Sequence, residues 1–389
     1  MSKQFDKYHF YSGTIRRVLL FTGLWPSTNP SILYRTVTFI HGSASLLTCC
    51  ALLNFAYQHF SSLHLFFKGF SLALTFLTIM QKMTCLTLYR KRLVKLHGDL
   101  ATSFNSDLND IELRPILLSP LLSFYEPSLI LSTMSFMTAV LYWITPIVVI
   151  IIQVAHGFEV LKLITPFPTL YPWRPSANIF LYLAHYLFEI YGGICVGTFT
   201  SSIDALFGYY IFQICGQLRT LSYRLKNLKP TENYHKVIRE CISRHQILTK
   251  CQNHLEIIYG PIILWMLVTN AVLMCALIYQ ASHIKPSKAA LIVVYMIMKS
   301  VQTLVYGWFG TSLENENDMF REAIYDCDWP GSGEKRLMTD VLVMMTYKPF
   351  VLRACSLSNI SIDMFVAVSN TAVSYYLMLR TLEEQESNS

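Results

Sequence analysis

Long uncharged blocks organise this chain. No Asp, Glu, Lys or Arg occurs within 127–158 or within 257–284. About 20 apolar residues in a helix cross the roughly 30 Å hydrocarbon core of a bilayer, and a helix that is apolar on every side belongs in lipid or a large core. Blocks 33–56 and 65–88 read the same way, the first with Arg35 near its start, the second interrupted by Lys68 and Lys82. Block 177–200 contains Glu189, block 289–310 contains Lys299, and block 360–379 has Asp363 near its beginning. Seven membrane-spanning helices are predicted, and an odd number puts the two termini on opposite faces.

Between the blocks the pattern changes. Residues 211–228 continue the fourth span at helical spacing, with Arg219, Arg224 and Lys226 between the apolar positions. Leu228-Lys229-Pro230 then breaks the helix, and Thr231 can cap a return helix through Cys241 and His245 into span five. A further amphipathic stretch, 334–352, follows a turn at 330–333. The short apolar run 18–25 reads as a segment lying along the inner membrane face, because Pro26 follows it without a small-residue cleavage site.

Composition narrows the class. The 389 residues are 53% hydrophobic and 14% charged, against about 25% charged in a soluble domain. Disorder and collagen-like or disulfide-rich scaffolds are excluded. Charge then supplies orientation. Most of the 31 Lys and Arg, among them Lys3, Lys7, Arg16, Arg17, Arg90, Lys91, Arg92, Arg219, Arg224 and Arg244, fall on the side of the N-terminus. Basic residues concentrate in cytoplasmic loops, so the N-terminus is expected in the cytoplasm and the C-terminus outside. The net charge of +7 fits that bias and anionic membrane lipid; no basic run interleaved with aromatics points to nucleic acid. None of the ten cysteines falls in a predicted outside loop. They are expected to act as small apolar side chains in spans or reducing cytoplasm. The expected fold is an all-α, seven-helix membrane protein with a cytoplasmic helical anchor. Its parts are 1–32 inside, 33–310 as spans one to six, 311–357 together with 211–255 as anchor, 358–380 as span seven and 381–389 as an outside tail.

Enzyme chemistry has no foothold: G-x-S-x-G, H-E-x-x-H and a Walker loop are all absent. His59 and His64 would point about 140° apart on a helix and find no third ligand nearby, so no metal or other cofactor is expected. Lys68 and Lys82 read as side chains that snorkel to the interfaces. Glu189 and Lys299 sit mid-span, where charge is expensive. Either they pair with each other or with hydroxyls, or they line a partly wet cavity and contact a ligand. Aromatic residues gather in the outer halves of spans two to six: Phe66, Phe67, Phe70, Tyr142, Trp143, Tyr182, Tyr186, Tyr279 and Tyr295, with Met137, Met274 and Met298. Plain packing and a pocket for a small apolar molecule use the same residue types. Span seven carries the small and hydroxyl-bearing run 366–374, which suits close helix contacts or a water-filled path. Glu383, Glu384 and Glu386 follow it as an acidic cluster.

Four places in order resemble the insect odorant receptor family. They are Leu24-Trp25-Pro26; Asp204 with Cys215-Gly216-Gln217-Leu218-Arg219 and Arg224-Leu225; Ala323-Ile324-Tyr325 with Trp329; and Phe365 through Arg380, ending in Ser374-Tyr375-Tyr376-Leu377-Met378-Leu379-Arg380. The resemblance implies an odorant-gated, non-selective cation channel in the plasma membrane of sensory dendrites. It implies a tetramer in which odour-tuned subunits join a shared co-receptor, and the short second inside loop makes this chain resemble the tuned subunit. Helix seven would line the pore, with Met378 at a hydrophobic gate and Thr381 and Leu382 beside the outer pore. A small volatile ligand would lie among Phe66, Phe70, Met137, Tyr142, Trp143, Tyr182, Tyr186, Met274, Tyr295 and Met298. Glu189 and Lys299 match no family motif and stay local candidates. A gustatory receptor is the runner-up: it shares topology and channel logic but ends in T-Y-x-x-x-x-x-Q-F, whereas Tyr375-Tyr376 is followed here by Leu377-Met378. A G-protein-coupled receptor would need an outside N-terminus, an acidic-Arg motif after span three and N-P-x-x-Y in span seven. Span three instead leads into Gln153-Val154-Ala155-His156-Gly157.

The one N-x-S/T sequon without proline, Asn359-Ile360-Ser361, falls on the cytoplasmic side. Endoglycosidase treatment of the protein from cells is expected to leave its mobility unchanged; a shift abolished by Asn359→Gln would invert the topology.

Overall fold

The computed structural model describes residues 2–158, 162–173, 178–227, 234–284, 286–326, 335–346 and 350–388. Thr231, the turn 330–333, Cys327 and Trp329 lie outside the described residues, as do the side chains of Glu383, Glu384 and Glu386. In chain order the described elements are α1 (Ser2–Thr22), α2 (Ile32–Gln58), α3 (Leu63–Leu88), α4 (Arg90–Asn109), α5 (Arg114–Leu117), α6 (Leu121–Ala155) and α7 (Ile179–Lys226). They continue with α8 (Tyr234–Ser282), α9 (Pro286–Asp326), α10 (Lys335–Thr346), β1 (Arg353–Ala354), β2 (Ser358–Asn359) and α11 (Ile362–Asn388). Seven of these helical segments, built on α2, α3, α6, α7, α8, α9 and α11, are long and apolar enough to cross a membrane. All seven predicted spans are present.

Local chemistry sets the helix ends. Ser31 accepts the Tyr34 N–H at 3.2 Å to start α2, and Asn178 accepts the Phe180 N–H at 3.1 Å to start α7, each satisfying a donor left over at a helix N-terminus. Residues 59–62, 162–173 and 283–284 turn the chain at one end of the bundle, called here the loop end; the other is the basic end. At 1.5 Å per residue the 48-residue α7 is about 70 Å long, more than twice the bilayer core. With α8 and α9 it runs far past the apolar blocks at the basic end. There Arg219 donates from Nε to both Glu316 carboxylate oxygens, at 2.8 and 2.7 Å. Arg224 pairs with Glu240 at 2.8 Å, and Asp107 of α4 accepts from Arg244 at 2.5 Å and from Thr220 at 3.0 Å.

α7 is the central post. From Phe199 to Leu218 every side chain is buried, so the helix is enclosed on all sides. α1 lies against it and starts well before the short apolar run 18–25 that the sequence singles out. Tyr8, Tyr11, Ile15 and Leu19 make the buried stripe, with Tyr8 and Tyr209 hydroxyls 3.3 Å apart and Tyr11 Oη 3.0 Å from Ser128 Oγ. The stripe is tyrosine-rich, and tyrosine carries a hydroxyl that needs a partner when buried. The Leu24-Trp25-Pro26 motif ties α1 to α2 and α4: the Trp25 N–H donates to Tyr34 Oη at 2.6 Å and Arg90 donates to the Trp25 carbonyl at 3.3 Å.

Three of the central helices meet at one buried carboxylate. Asp204 of α7 accepts from Lys82 Nζ of α3, from Tyr306 Oη of α9 at 2.6 Å and from Gln302 Nε2 of α9 at 2.7 Å. Lys82 is 0% exposed. This corrects the snorkelling expectation for Lys82: its stem stays inside the bundle because a counter-charge is supplied there. Lys68, by contrast, is exposed.

α11 starts from a tight support. The β1–β2 hairpin pairs Arg353 with Asn359 and Ala354 with Ser358. A Cβ on Gly307 of α9 would lie 2.6 Å from the Ser361 carbonyl oxygen, and one on Gly310 would overlap the Ile360 carbonyl oxygen. Backbone therefore meets backbone where α9 crosses the start of α11.

Two substitution series follow from these contacts. Gly310→Ala is expected to lower stability by about 1–3 kcal/mol through overpacking. Gly98→Ala on α4, where an added Cβ meets nothing within 4 Å, is expected to raise it by about 0.5–1 kcal/mol; thermal unfolding in detergent reads both signs. In the same assay Asp204→Asn is expected to cost about 3–5 kcal/mol by stranding the Lys82 ammonium. Adding Lys82→Met to Asp204→Asn is expected to recover part of that loss.

Candidate functional site

The aromatic residues of the loop end fall into three groups. On α3, Phe66 and Phe70 stack at 5.2 Å, and Phe67 meets Tyr279 of α8 edge-on at 5.4 Å. Between α6 and α7, Tyr186 Oη donates to the Trp143 carbonyl at 2.5 Å, and the Tyr182 and Tyr186 rings lie 5.9 Å apart. Trp143 is received by Gly193, where a Cβ would stand 2.5 Å from the indole nitrogen; only glycine lets the ring approach α7 so closely. The third group centres on α9: Tyr295 and Met298 pack with Leu277 of α8 and Met134 of α6, and Tyr295 is hydrogen-bonded to Thr75 of α3. Tyr142 lies within electrostatic reach of Tyr295 and packs on Phe167 at 5.8 Å. Met274 accepts from Ser300 Oγ at 3.6 Å.

Met137 does not join them. It is 54% exposed, because the buried stripe of α6 runs through Ser128, Leu131, Ser135, Thr138 and Ala139 and position 137 falls off it. Met134, one turn earlier, packs against Tyr295 and Met298 instead.

Glu189 and Lys299 do not pair with each other. Glu189 is 0% exposed and accepts the Phe167 N–H at 2.9 Å, the Thr169 hydroxyl, and His185 Nε2 at 3.1 Å. These bonds pull residues 162–173 into the bundle. The Leu170 N–H donates to the Ala51 carbonyl at 3.1 Å and Asn54 donates to the Leu170 carbonyl at 3.0 Å, so the same loop is tied to α2. The predicted hydroxyl partner for Glu189 is thus present, in a loop rather than a helix. Lys299 is 4% exposed and donates to Gln302 Oε1 at 3.3 Å, which places it beside the Asp204 cluster. That cluster, with Gln302 and Tyr306, is what the sequence reading left out of the site. Its signal was a lone carboxylate in an apolar helix, hidden by ending the span at residue 200.

α11 presents Asn370, Thr371 and Ser374 on an exposed surface, together with Tyr375, Met378, Thr381 and Leu382. Met378 is 57% exposed. Among the described residues nothing covers this side of the helix. Among the described residues no group of three or more His, Cys, Asp or Glu side chains could hold a metal ion, and the nine described cysteines are free thiols.

Known proteins share this architecture. The insect olfactory receptor OR5 from Machilis hrabei superposes with a TM-score of 0.79, covering 96% of this chain and 99% of that one at 13% identity. The same receptor in complex with eugenol gives 0.78 at 12% identity, covering 97% and 99%. At such identities the likeness shows the fold. Among relatives by sequence, Odorant receptor 13a of Drosophila melanogaster is 24% identical over 278 residues, covering 64% of this chain and 66% of that receptor's length. The Odorant receptor coreceptor of Anopheles gambiae is 24% identical over 149 residues, covering 38% of this chain and 31% of the coreceptor. The family model described as 7tm Odorant receptor matches residues 62–373. With more than half its length matched, this multi-pass membrane protein belongs to the seven-transmembrane odorant receptor family, whose members are receptors and not enzymes.

Proposed function

We propose that this chain is the odour-tuned subunit of a ligand-gated, non-selective cation channel. It works in the plasma membrane of sensory dendrites, in a tetramer with the family's shared co-receptor. The observation that carries the reading is the uncovered surface of α11. Asn370, Thr371 and Ser374 stand exposed on a helix of membrane-spanning length. Polar side chains there are costly against lipid and call for neighbouring protein or a water-filled path. A set of such helices around one axis would supply both.

In this reading Met378 forms the apolar constriction, Thr381 and Leu382 line the outer mouth, and residues 358–380 form the pore helix. The ion-paired ends of α7, α8 and α9, with α10, hold subunits together on the cytoplasmic side. The ligand is a small, mostly apolar volatile held by Phe66, Phe70, Tyr142, Trp143, Tyr182, Tyr186, Met274, Tyr295 and Met298. A crowded aromatic pocket with few polar groups fits such a molecule, and a fold relative was solved in complex with eugenol. Motion of α9 on ligand binding would reach α11 through Gly307 and Gly310.

Whole-cell recording tests this. Cells expressing the chain with a family co-receptor are expected to show cation current evoked by members of a volatile panel, with Met378→Ala raising current in the absence of ligand. Surface-expressed protein that passes no evoked current with the co-receptor would refute the reading.

A further inference from the structure

Two buried lysines lie near one carboxylate, and only one of them bonds to it directly. Asp204 already accepts from Lys82, Tyr306 and Gln302, which accounts for most of what two carboxylate oxygens can take. Lys299 reaches that carboxylate only through Gln302, whose Oε1 accepts at 3.3 Å while its Nε2 donates to Asp204 at 2.7 Å. An ammonium carries three donors, and 3.3 Å lies beyond the usual range for N–H···O. Among the described residues the other close feature is the face of Tyr295, its centroid 5.9 Å from Lys299 Nζ. A buried lysine head with one long hydrogen bond and one aromatic face leaves donor capacity unused, which is an expensive arrangement.

The position of that charge is informative. Tyr295 lies one helical turn from Lys299 toward the loop end and Met298 is its neighbour in sequence. Both belong to the packed group with Leu277 and Met134. Lys299 therefore stands next to this packed group of α9, on the side away from the loop end. Glu189, the other mid-span charge, is held by the loop and by His185 and does not compete for it.

We propose, resting on the receptor reading above, that the ligand carries a carbonyl or carboxylate oxygen that accepts a hydrogen bond from Lys299 Nζ while its apolar body packs against Tyr295 and Met298. Gln302 positions the ammonium, so an occupied site joins ligand, Lys299, Gln302 and Asp204 in one chain of hydrogen bonds. Hydrocarbons of the same shape fill the pocket without making that bond. The Lys299 amine can donate to either acceptor, a carboxylate or a neutral carbonyl, and the probes separate the two.

The test uses the full chain with its co-receptor in cells at constant pH. The probes are n-alkanoic acids, 2-alkanones and 1-alkenes of matched chain length, with benzoic acid, acetophenone and styrene as ring counterparts. The wild type is expected to respond to acids or ketones at concentrations at least tenfold lower than to the matched alkenes. Lys299→Met is expected to remove that preference, with alkene responses moving less than threefold, and Lys299→Arg to retain it. Lys68→Met, which removes the exposed lysine of α3, is expected to leave the preference in place. Equal potency of oxygenated and hydrocarbon probes in the wild type overturns the proposal without any variant. So does an equal loss across all series in Lys299→Met, or a preference abolished by Lys68→Met alone. Silence to every probe, with current evoked by other volatiles, overturns the proposal and leaves the channel reading standing; silence to all volatiles removes both.

Discussion

A carboxylate buried inside a helix bundle has no water to turn to, and the helices around it must supply every partner it needs. Asp204 meets that demand from two other helices at once, Lys82 on α3 and Gln302 and Tyr306 on α9. Apolar packing between helices in lipid is weakly directional, because lipid tails are as apolar as leucine. A charged hub is different: it fixes which faces of α3, α7 and α9 look inward. The aromatic groups nearer the loop end inherit that alignment. Tyr295 meets Thr75 across the same α3–α9 contact, and the buried run of α7 from Phe199 to Leu218 continues it toward the basic end.

A second polar fixture works at the loop end. Glu189 and His185 hold residues 162–173 down against α7, and the Ala51 carbonyl and Asn54 hold them against α2. The loop thereby brings Phe167 against Tyr142 and Phe76. One buried charge thus aligns the helices and another ties the loop across their end. The aromatic groups themselves are apolar, while the groups that arrange them are ionic.

Much of this was written in the chain. Blocks of about 20 uncharged residues announce spans because lipid tolerates nothing else, and all seven are helices. What sequence could not carry is which residue stands opposite which. Lys82 lies near the end of an apolar block, where snorkelling is the cheaper outcome unless a counter-ion exists on another helix. That counter-ion, Asp204, sits beyond the length a bilayer requires, on a helix that continues for 48 residues. α1 escaped notice because its buried stripe is built from tyrosines between charged residues. Met137 was misassigned for a different reason, and an avoidable one. The small and apolar positions 128, 131, 135, 138 and 139 already mark the inward face of α6, and 137 is off it.

The glycine contact between α9 and α11 leaves little room for either helix to shift alone. In an ordinary packed contact, side chains can change rotamer and absorb a small displacement before any backbone moves. At Gly307 and Gly310 the α9 backbone lies directly against the carbonyls of residues 361 and 360, and the Ile362 N–H donates to Thr311 Oγ1 at 3.1 Å. The joint is therefore stiffer than one padded by side chains alone, and the start of α11 is held in register with α9, the helix that carries Tyr295 and Lys299.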